Sequence, residues 1–182
     1  LAKPAAARAS VAVEQIGDTS LTVSGGICLH VGKGLRHWRG ASHLGVTICT
    51  VGRDLEEEVV RLFAANDFAL ALMLDAAGSV AVEAVANHVQ ELFCGEAHNA
   101  GMKTGLRLGP GYGDWLLRDQ HTLFSILPGG QIGVELTDNA VMIPRKSLSF
   151  CLGLGRDLHS GDGSVPCRYC TMGSCQYRVL PA

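Results

Sequence analysis

The chain has 182 residues, of which 47% are hydrophobic and 18% are charged, and its formal net charge is −2. This length is enough for one domain with a sizeable core. The nearly neutral charge argues against a nucleic-acid-binding protein, which would carry a basic surface. We also expect no membrane-spanning segment and no signal peptide, because no uninterrupted apolar run reaches the roughly 20 residues that a spanning helix needs.

The seven cysteines indicate a reduced setting. A secreted domain held together by disulfides would be shorter and poorer in core residues. Cysteines in apolar surroundings are usually inert core residues. Four cysteines have such surroundings: Cys28, Cys49, Cys94 and Cys151. We therefore expect a cytoplasmic protein.

The N-terminal quarter predicts short strands and turns. Residues 1 to about 10 are expected to form a loose terminus, and β-prone pieces follow at 21–23 and 27–31. The basic segment from Gly32 to Gly40 predicts a turn or short helix on a solvated face. Residues 44–51 form a continuous, uncharged segment rich in β-branched residues, which predicts a buried strand.

Two helices are predicted after this strand. Asp54, with Glu57 three residues later, is typical of a capping box and predicts the start of the first helix. Asn66-Asp67 opens a second, long helix that runs to about Gly95 and is rich in small residues, which indicates close packing. Its core-facing stripe is predicted to comprise Leu70, Leu74, Ala77, Ala81, Val85, Val89 and Leu92. Asp75 and Glu83 also lie in this apolar helix, where charges need partners.

A glycine-rich bend occupies residues 107–114, with the sequence Arg-Leu-Gly-Pro-Gly-Tyr-Gly-Asp. Three glycines and a proline cannot sit inside a helix or a central strand, so they predict a tight turn. Arg107 can donate a fork of hydrogen bonds to a carboxylate or phosphate, and Tyr112 offers a ring face and a hydroxyl. The composition alone is equally compatible with an ordinary connecting loop.

The last part of the chain predicts a helix at 115–127, strands at 132–136 and 147–154, and a polar linker from 155 to 166. Helices and strands are mixed without strict alternation, which favours an α+β fold over a doubly wound α/β sheet. We expect one domain over residues 1–155 and a cysteine-rich C-terminal tail over 156–182.

Three blocks together resemble the reactivation domain of cobalamin-dependent methionine synthase. Residues 75–83 are similar to the long helix of that family, and Arg107 to Tyr112 match its R-x-x-x-G-Y signature. Residues 136–139 and 142–149 resemble its strand pair near the ligand. The order and the separations also agree, over about Leu44 to Gly153.

The resemblance implies a standalone α+β domain with a mixed or antiparallel twisted sheet and a long small-residue helix packed on it. It implies binding of S-adenosylmethionine beside cobalamin on a partner, where inactive cob(II)alamin is reduced and remethylated. The ligand-binding residues that it implies are Glu83, Arg107, Gly109, Pro110, Gly111 and Tyr112. Arg107 would pair the methionyl carboxylate, and Glu83 would lie near the positive groups. No catalytic acid or base is implied, because cob(I)alamin is itself the nucleophile.

The tail carries a candidate metal site at Cys167, Cys170 and Cys175. Thiolates spaced as C-x-x-C converge from one turn onto a metal ion or cluster, and a third cysteine five residues later can join them. Cys151 and His159 are candidates for a fourth ligand. A structural zinc ion, an iron–sulfur cluster and loose surface thiols all remain open.

Two functions follow from these observations. The first is an accessory subunit for reductive reactivation of a cobalamin-dependent methyltransferase, which binds S-adenosylmethionine and docks on a corrinoid-binding protein or methyltransferase subunit. The alternative is a corrinoid-protein docking and electron-delivery module with a Cys-bound iron–sulfur or zinc site, without using S-adenosylmethionine. In this alternative an iron–sulfur cluster would carry the electrons, whereas zinc would be structural.

Overall fold

The computed structural model describes residues 1–158. Within this range, the strands are β1 (Ala5–Ile16), β2 (Leu21–Val23), β3 (Ile27–Leu29), β4 (His43–Thr50), β5 (Lys103–Thr104), β6 (Glu135–Leu136), β7 (Met142–Ile143) and β8 (Ser147–Gly155). The α-helices are α1 (Asp54–Ala64), α2 (Phe68–Asn99) and α3 (Gln120–Ile126). Six strands form an antiparallel sheet in the order β3-β2-β1-β4-β8-β5, and β6 pairs with β7. The predicted α+β fold is confirmed.

Both faces of the main sheet are covered, which explains why β4 is buried from Leu44 to Thr50. On one face, Leu44, Val46 and Ile48 of β4 pack in a core with Trp38 and Trp115. On the other face, a second core is formed with α1 and α2 by Cys49, Val51, Val82, Val89, Phe93, Phe150 and Leu152. A strand buried on both sides has no polar alternation, because successive side chains point to opposite faces.

The N-terminus is not loose, contrary to prediction. β1 lies in the interior of the sheet, where residues 5–12 pair with β4 and residues 13–16 pair with β2. The prediction was wrong because this segment is rich in alanine, a weak β-former, and its strand state depends on the neighbouring strand. The basic segment forms a short helix as predicted, the 3-10 helix Gly32–Trp38, but this helix also buries Leu35 and Trp38.

The start of α1 at Asp54 is confirmed, but the predicted capping box does not form. The Asp54 carboxylate lies 2.7 Å from the Lys3 ammonium instead. This pair ties the N-terminal segment to the start of the helix. By contrast, the Asp67 carboxylate accepts the backbone N–H of Leu70 and caps α2.

The buried stripe of α2 differs from the prediction. It consists of Ala71, Gly78, Val82, Ala86, Val89, Phe93 and Ala97. Leu70 and Leu92 are exposed instead. The large side chains misled the prediction, because α2 packs on its neighbours largely through small residues. At Gly78, an added Cβ would lie only 2.7 Å from a terminal methyl carbon of Leu55, so a larger residue would require the Leu55 side chain to move.

Two further elements are shorter than predicted. The helix expected at 115–127 is a 3-10 turn, Leu117–Asp119, followed by α3, and Trp115 before it is buried in the core. The strand expected at 132–136 is reduced to β6, because the 3-10 turn Gly130–Ile132 precedes it. The short helical segments around Pro128 reflect its inability to continue a regular helix.

α2 is long and apolar enough to cross a membrane by length and composition. The sequence of α2 has no uninterrupted apolar run of that length, because Asp75 and Glu83 divide it. In the structure its buried stripe packs on β4 and β8, as in a helix that covers a sheet.

The pair between β1 and α2 predicts an acid-sensitive contribution to stability. The Arg8 guanidinium donates two hydrogen bonds of 2.7 Å to the Glu96 carboxylate and thereby holds the pKa of that carboxyl below its ordinary value of 4.5. A lowered carboxyl pKa in the folded state stabilises the protein above about pH 4.5, and this contribution is lost as the pH falls through the folded-state pKa. The difference in melting temperature between the chain and Glu96→Gln should therefore shrink below about pH 4. Glu91→Gln on the same helix is the control. The prediction would be contradicted if the difference in melting temperature between the chain and Glu96→Gln did not change with pH.

Candidate functional site

The glycine-rich bend runs along the edge of the main sheet. Leu108 pairs with Cys151 of β8 through two backbone hydrogen bonds of 3.0 and 2.6 Å, and the Gly105 N–H donates to the Gly153 carbonyl. Successive residues of an extended chain face opposite sides. Leu108 packs in the core with Trp38, so Arg107 points to the other face, under α2.

Arg107 is held in a defined position by three groups. It donates hydrogen bonds of 2.9 Å to the Asn87 side-chain carbonyl and to the Glu83 carboxylate. Its guanidinium carbon lies 5.4 Å from the centre of the Phe150 ring. The side chain is only 13% exposed, so Arg107 is not turned out into solvent.

Glu83 belongs to a row of polar side chains on α2 with a spacing of four residues. This polar row consists of Asp75, Ser79, Glu83 and Asn87. Residues four apart lie on the same side of a helix, one turn above another. The Lys146 ammonium lies 2.8 Å from the Asp75 carboxylate and 2.9 Å from the Ser79 hydroxyl, just as Arg107 contacts the other two members. The partners expected for Asp75 and Glu83 are therefore present.

The predicted tight turn is present from Gly109 to Trp115. The Tyr112 N–H donates to the Gly109 carbonyl, and the Gly111 N–H donates to the Trp115 carbonyl at 2.8 Å. Gly109 lies so close to β8 that an added Cβ would be 2.6 Å from the Ser149 carbonyl oxygen. Gly111 has a φ of +94°, which favours glycine. Both glycines are therefore required by the path of the backbone.

The structure brings two of the six predicted residues, Arg107 and Glu83, into direct contact. The backbone of residues 109–111 continues from Arg107 along the bend, and Tyr112 at its far end is partly exposed. Asn87 and Lys146 were missed. The only sequence signal for Asn87 was its spacing of four residues from Glu83. The sequence contained no signal for Lys146, because its contact with α2 joins segments that are distant along the chain.

A depression of about 300 Å³ lies beyond the other end of the bend. It is lined by Thr19, His30, Gly32, Asp114, Leu116, Arg118 and Asp119. The buried Asp119 carboxylate accepts the backbone N–H of His30 at 3.2 Å. Neither Arg107 nor any member of the polar row lines this depression, so it is separate from the predicted site.

The predicted metal ligands Cys167, Cys170 and Cys175 lie outside the described residues, as does His159. Cys151, the other candidate for a fourth ligand, is fully buried in β8, and burial raises the pKa of its thiol. Burial also raises the pKa of Cys49 to about 12. Both thiols lie in the apolar cores, where cysteines are usually inert. Residues 1–158 contain no group of three or more His, Cys, Asp or Glu side chains that could hold a metal ion.

Comparison with known proteins relates this architecture to solved structures. No protein-family model and no curated protein matches the sequence. A crystal structure of the MetH reactivation domain bound to AdoHcy superposes with a TM-score of 0.67 at 18% sequence identity. The chain has the MetH reactivation-domain fold.

The match to the MetH reactivation domain covers 85% of this chain and 59% of the other. The chain thus spans about three-fifths of the length of the protein it matches. The resemblance seen in the sequence is confirmed at the level of the fold, including the antiparallel sheet and the long helix packed on it.

Proposed function

We propose that this chain binds S-adenosylmethionine and serves in the cytoplasm as an accessory subunit for the reductive remethylation of a corrinoid protein. The observation that carries the proposal is the contact between Arg107 and Glu83 beside the glycine-rich bend. These residues are 24 positions apart in the sequence, and they meet in a fold that a solved structure shows bound to AdoHcy.

The charges at this site suit the amino-acid end of the ligand. S-adenosylmethionine carries a carboxylate, an ammonium group and a sulfonium ion, which require donors, acceptors and nearby negative charge. Arg107 has five N–H donors, of which the contacts with Glu83 and Asn87 use two, so it can also donate to a carboxylate. The Glu83 side chain is 45% exposed and can accept a hydrogen bond from an ammonium group.

The bend supplies room for the adenosine end of the ligand. Gly111 presents exposed backbone without a side chain, and Tyr112 offers an aromatic face next to it. Gly109 instead holds the start of the bend against β8. Pro110 restricts the backbone between the two glycines. S-adenosylmethionine would supply the methyl group, and the cobalamin would belong to the partner. The contribution of this chain is then to bind and orient the ligand and to limit the access of water.

A second candidate function is docking on a corrinoid protein and electron delivery through the cysteine tail, without S-adenosylmethionine. It is favoured by the contacts of Arg107, because Glu83 and Asn87 already accept hydrogen bonds from its guanidinium. In this case the arginine ties the bend to α2 and has no role in ligand binding.

Calorimetric titration with S-adenosylmethionine distinguishes the two functions. We expect saturable binding by the chain, weakened by about 1.5–3 kcal/mol in Arg107→Ala, because a hydrogen bond to a charged group is lost. Arg118→Ala removes an exposed arginine outside the site and should bind like the unchanged chain. The absence of binding by the unchanged chain would favour the second function. Equal affinity of the chain and Arg107→Ala would show that Arg107 has only a structural role.

A further inference from the structure

The outward surface of α1 and the first half of α2 is apolar and exposed. Seven large side chains of these helices are 40–71% exposed. We call this surface the apolar face, and its large residues are Val60, Phe63, Phe68, Leu70, Leu72, Met73 and Val80. Only 17% of the most apolar 18-residue window of α2 is buried. Most of this apolar window therefore remains outside the core within the described part of the chain.

The α2 part of the apolar face also has almost no charge. Asp75 is the only charged residue between Phe68 and Val82, and its carboxylate pairs with Lys146 toward the sheet. The exposed alanines Ala76 and Ala77 lie in the middle of this segment. The second half of α2 is different, because it exposes polar residues such as His88 and Glu91.

We propose that a second copy of this chain packs on the apolar face and forms a two-fold symmetric dimer through α2. The seven large side chains together expose on the order of 700 Å², close to the roughly 800 Å² per partner of a standard interface. In a two-fold contact the same patch meets itself, so like charges would face each other. The α2 part of the face avoids this repulsion because it is nearly free of charge, and small residues at its centre let two helices approach closely.

The composition of the face favours a permanent partner of this kind. Interfaces of permanent homodimers are more hydrophobic than those of proteins that associate and separate. A corrinoid protein that visits the site would need to dissociate, and the polar row beside Arg107 suits such a contact better. An anionic lipid surface would attract basic residues. The first turns of α1 instead carry Glu56, Glu57 and Glu58.

This inference rests on the apolar face and is independent of the proposed function. Sedimentation analysis of the 182-residue chain should give a dimer of about 38 kDa, twice the chain mass of 19.2 kDa. Met73→Glu combined with Val80→Glu should raise the dissociation constant more than about 100-fold, because two unpaired carboxylates would be buried per chain. His88→Glu places the same charge on the polar half of α2 and should leave the dimer intact.

The two substituted side chains are 70% and 71% exposed, so the monomeric variant should keep the circular dichroism and melting temperature of a folded protein. A chain that is monomeric at high micromolar concentration overturns the inference, as does a dimer that survives both substitutions. A monomer that floats with phosphatidylcholine vesicles also overturns it and assigns the face to a lipid surface. Titration of the double variant with S-adenosylmethionine distinguishes the two proposals. The monomeric variant should bind S-adenosylmethionine like the unchanged chain, because loss of the dimer leaves the Arg107 site unchanged.

Discussion

Replacing Trp38 by alanine is expected to lower the free energy of unfolding by about 3–5 kcal/mol, the range for removing a large buried aromatic side chain. Trp38 is fully buried, and its ring meets that of Trp115 edge to face at a centroid distance of 5.9 Å. Its indole N–H donates a 2.8 Å hydrogen bond to the Leu106 carbonyl, just before Arg107. The substitution therefore opens a cavity and also leaves a buried carbonyl without its donor.

Urea unfolding of three variants tests this account. Trp38→Phe keeps much of the ring but loses the hydrogen bond, so it should cost less than alanine. Trp115→Phe is the matched control, because the buried Trp115 N–H has no hydrogen-bond partner within residues 1–158. We expect Trp38→Phe to be the more destabilising of the two phenylalanine variants by about 1 kcal/mol. The opposite order would show that the bond to Leu106 contributes nothing.

Replacing Phe150 by alanine is expected to damage both the fold and the candidate site. Phe150 is buried in the core between β8 and α2, and its removal should cost about 3–5 kcal/mol of unfolding free energy. The same ring lies against the Arg107 guanidinium, so the arginine would lose one of the three groups that hold it. Urea unfolding and calorimetric titration with S-adenosylmethionine measure the two effects separately.

Phe150→Leu separates the two roles of the ring. Leucine keeps most of the apolar volume and should cost less than about 1.5 kcal/mol of stability. It removes the aromatic face, however, and a cation–π contact contributes about 0.5–2 kcal/mol depending on its exposure. A folded leucine variant should therefore bind S-adenosylmethionine more weakly. Unchanged affinity in this variant would mean that the ring only fills the core.

The sequence correctly predicted the elements whose helical or strand conformation is determined by their own residues. The continuous apolar runs of β4 and β8 and the polar start of each long helix were clear signals. β1 was missed because its alanines have little preference for a strand, and it forms only by pairing with β2 and β4. The buried stripe of α2 was misplaced because the helix packs through Gly78 and alanines, which carry little hydrophobic signal.

The candidate site was predictable to the extent that the family resemblance covered it. Arg107 and Glu83 were named from the matching blocks, and the structure places them 2.9 Å apart. Asn87 and Lys146 were not named, because their roles depend on how α2 lies across β8. That arrangement depends on packing between segments that are distant in sequence, and local patterns contain little information about it.

The pairing of β4 with β8 has a consequence for how the protein is made. The paired residues, from Thr50 with Ser147 to His43 with Leu154, are separated by about 100 positions, and such distant contacts slow folding. During synthesis, α2 emerges from the ribosome well before the strand on which it rests. Its apolar residues therefore stay open to non-native association until β8 arrives, which makes the nascent chain a natural client for molecular chaperones.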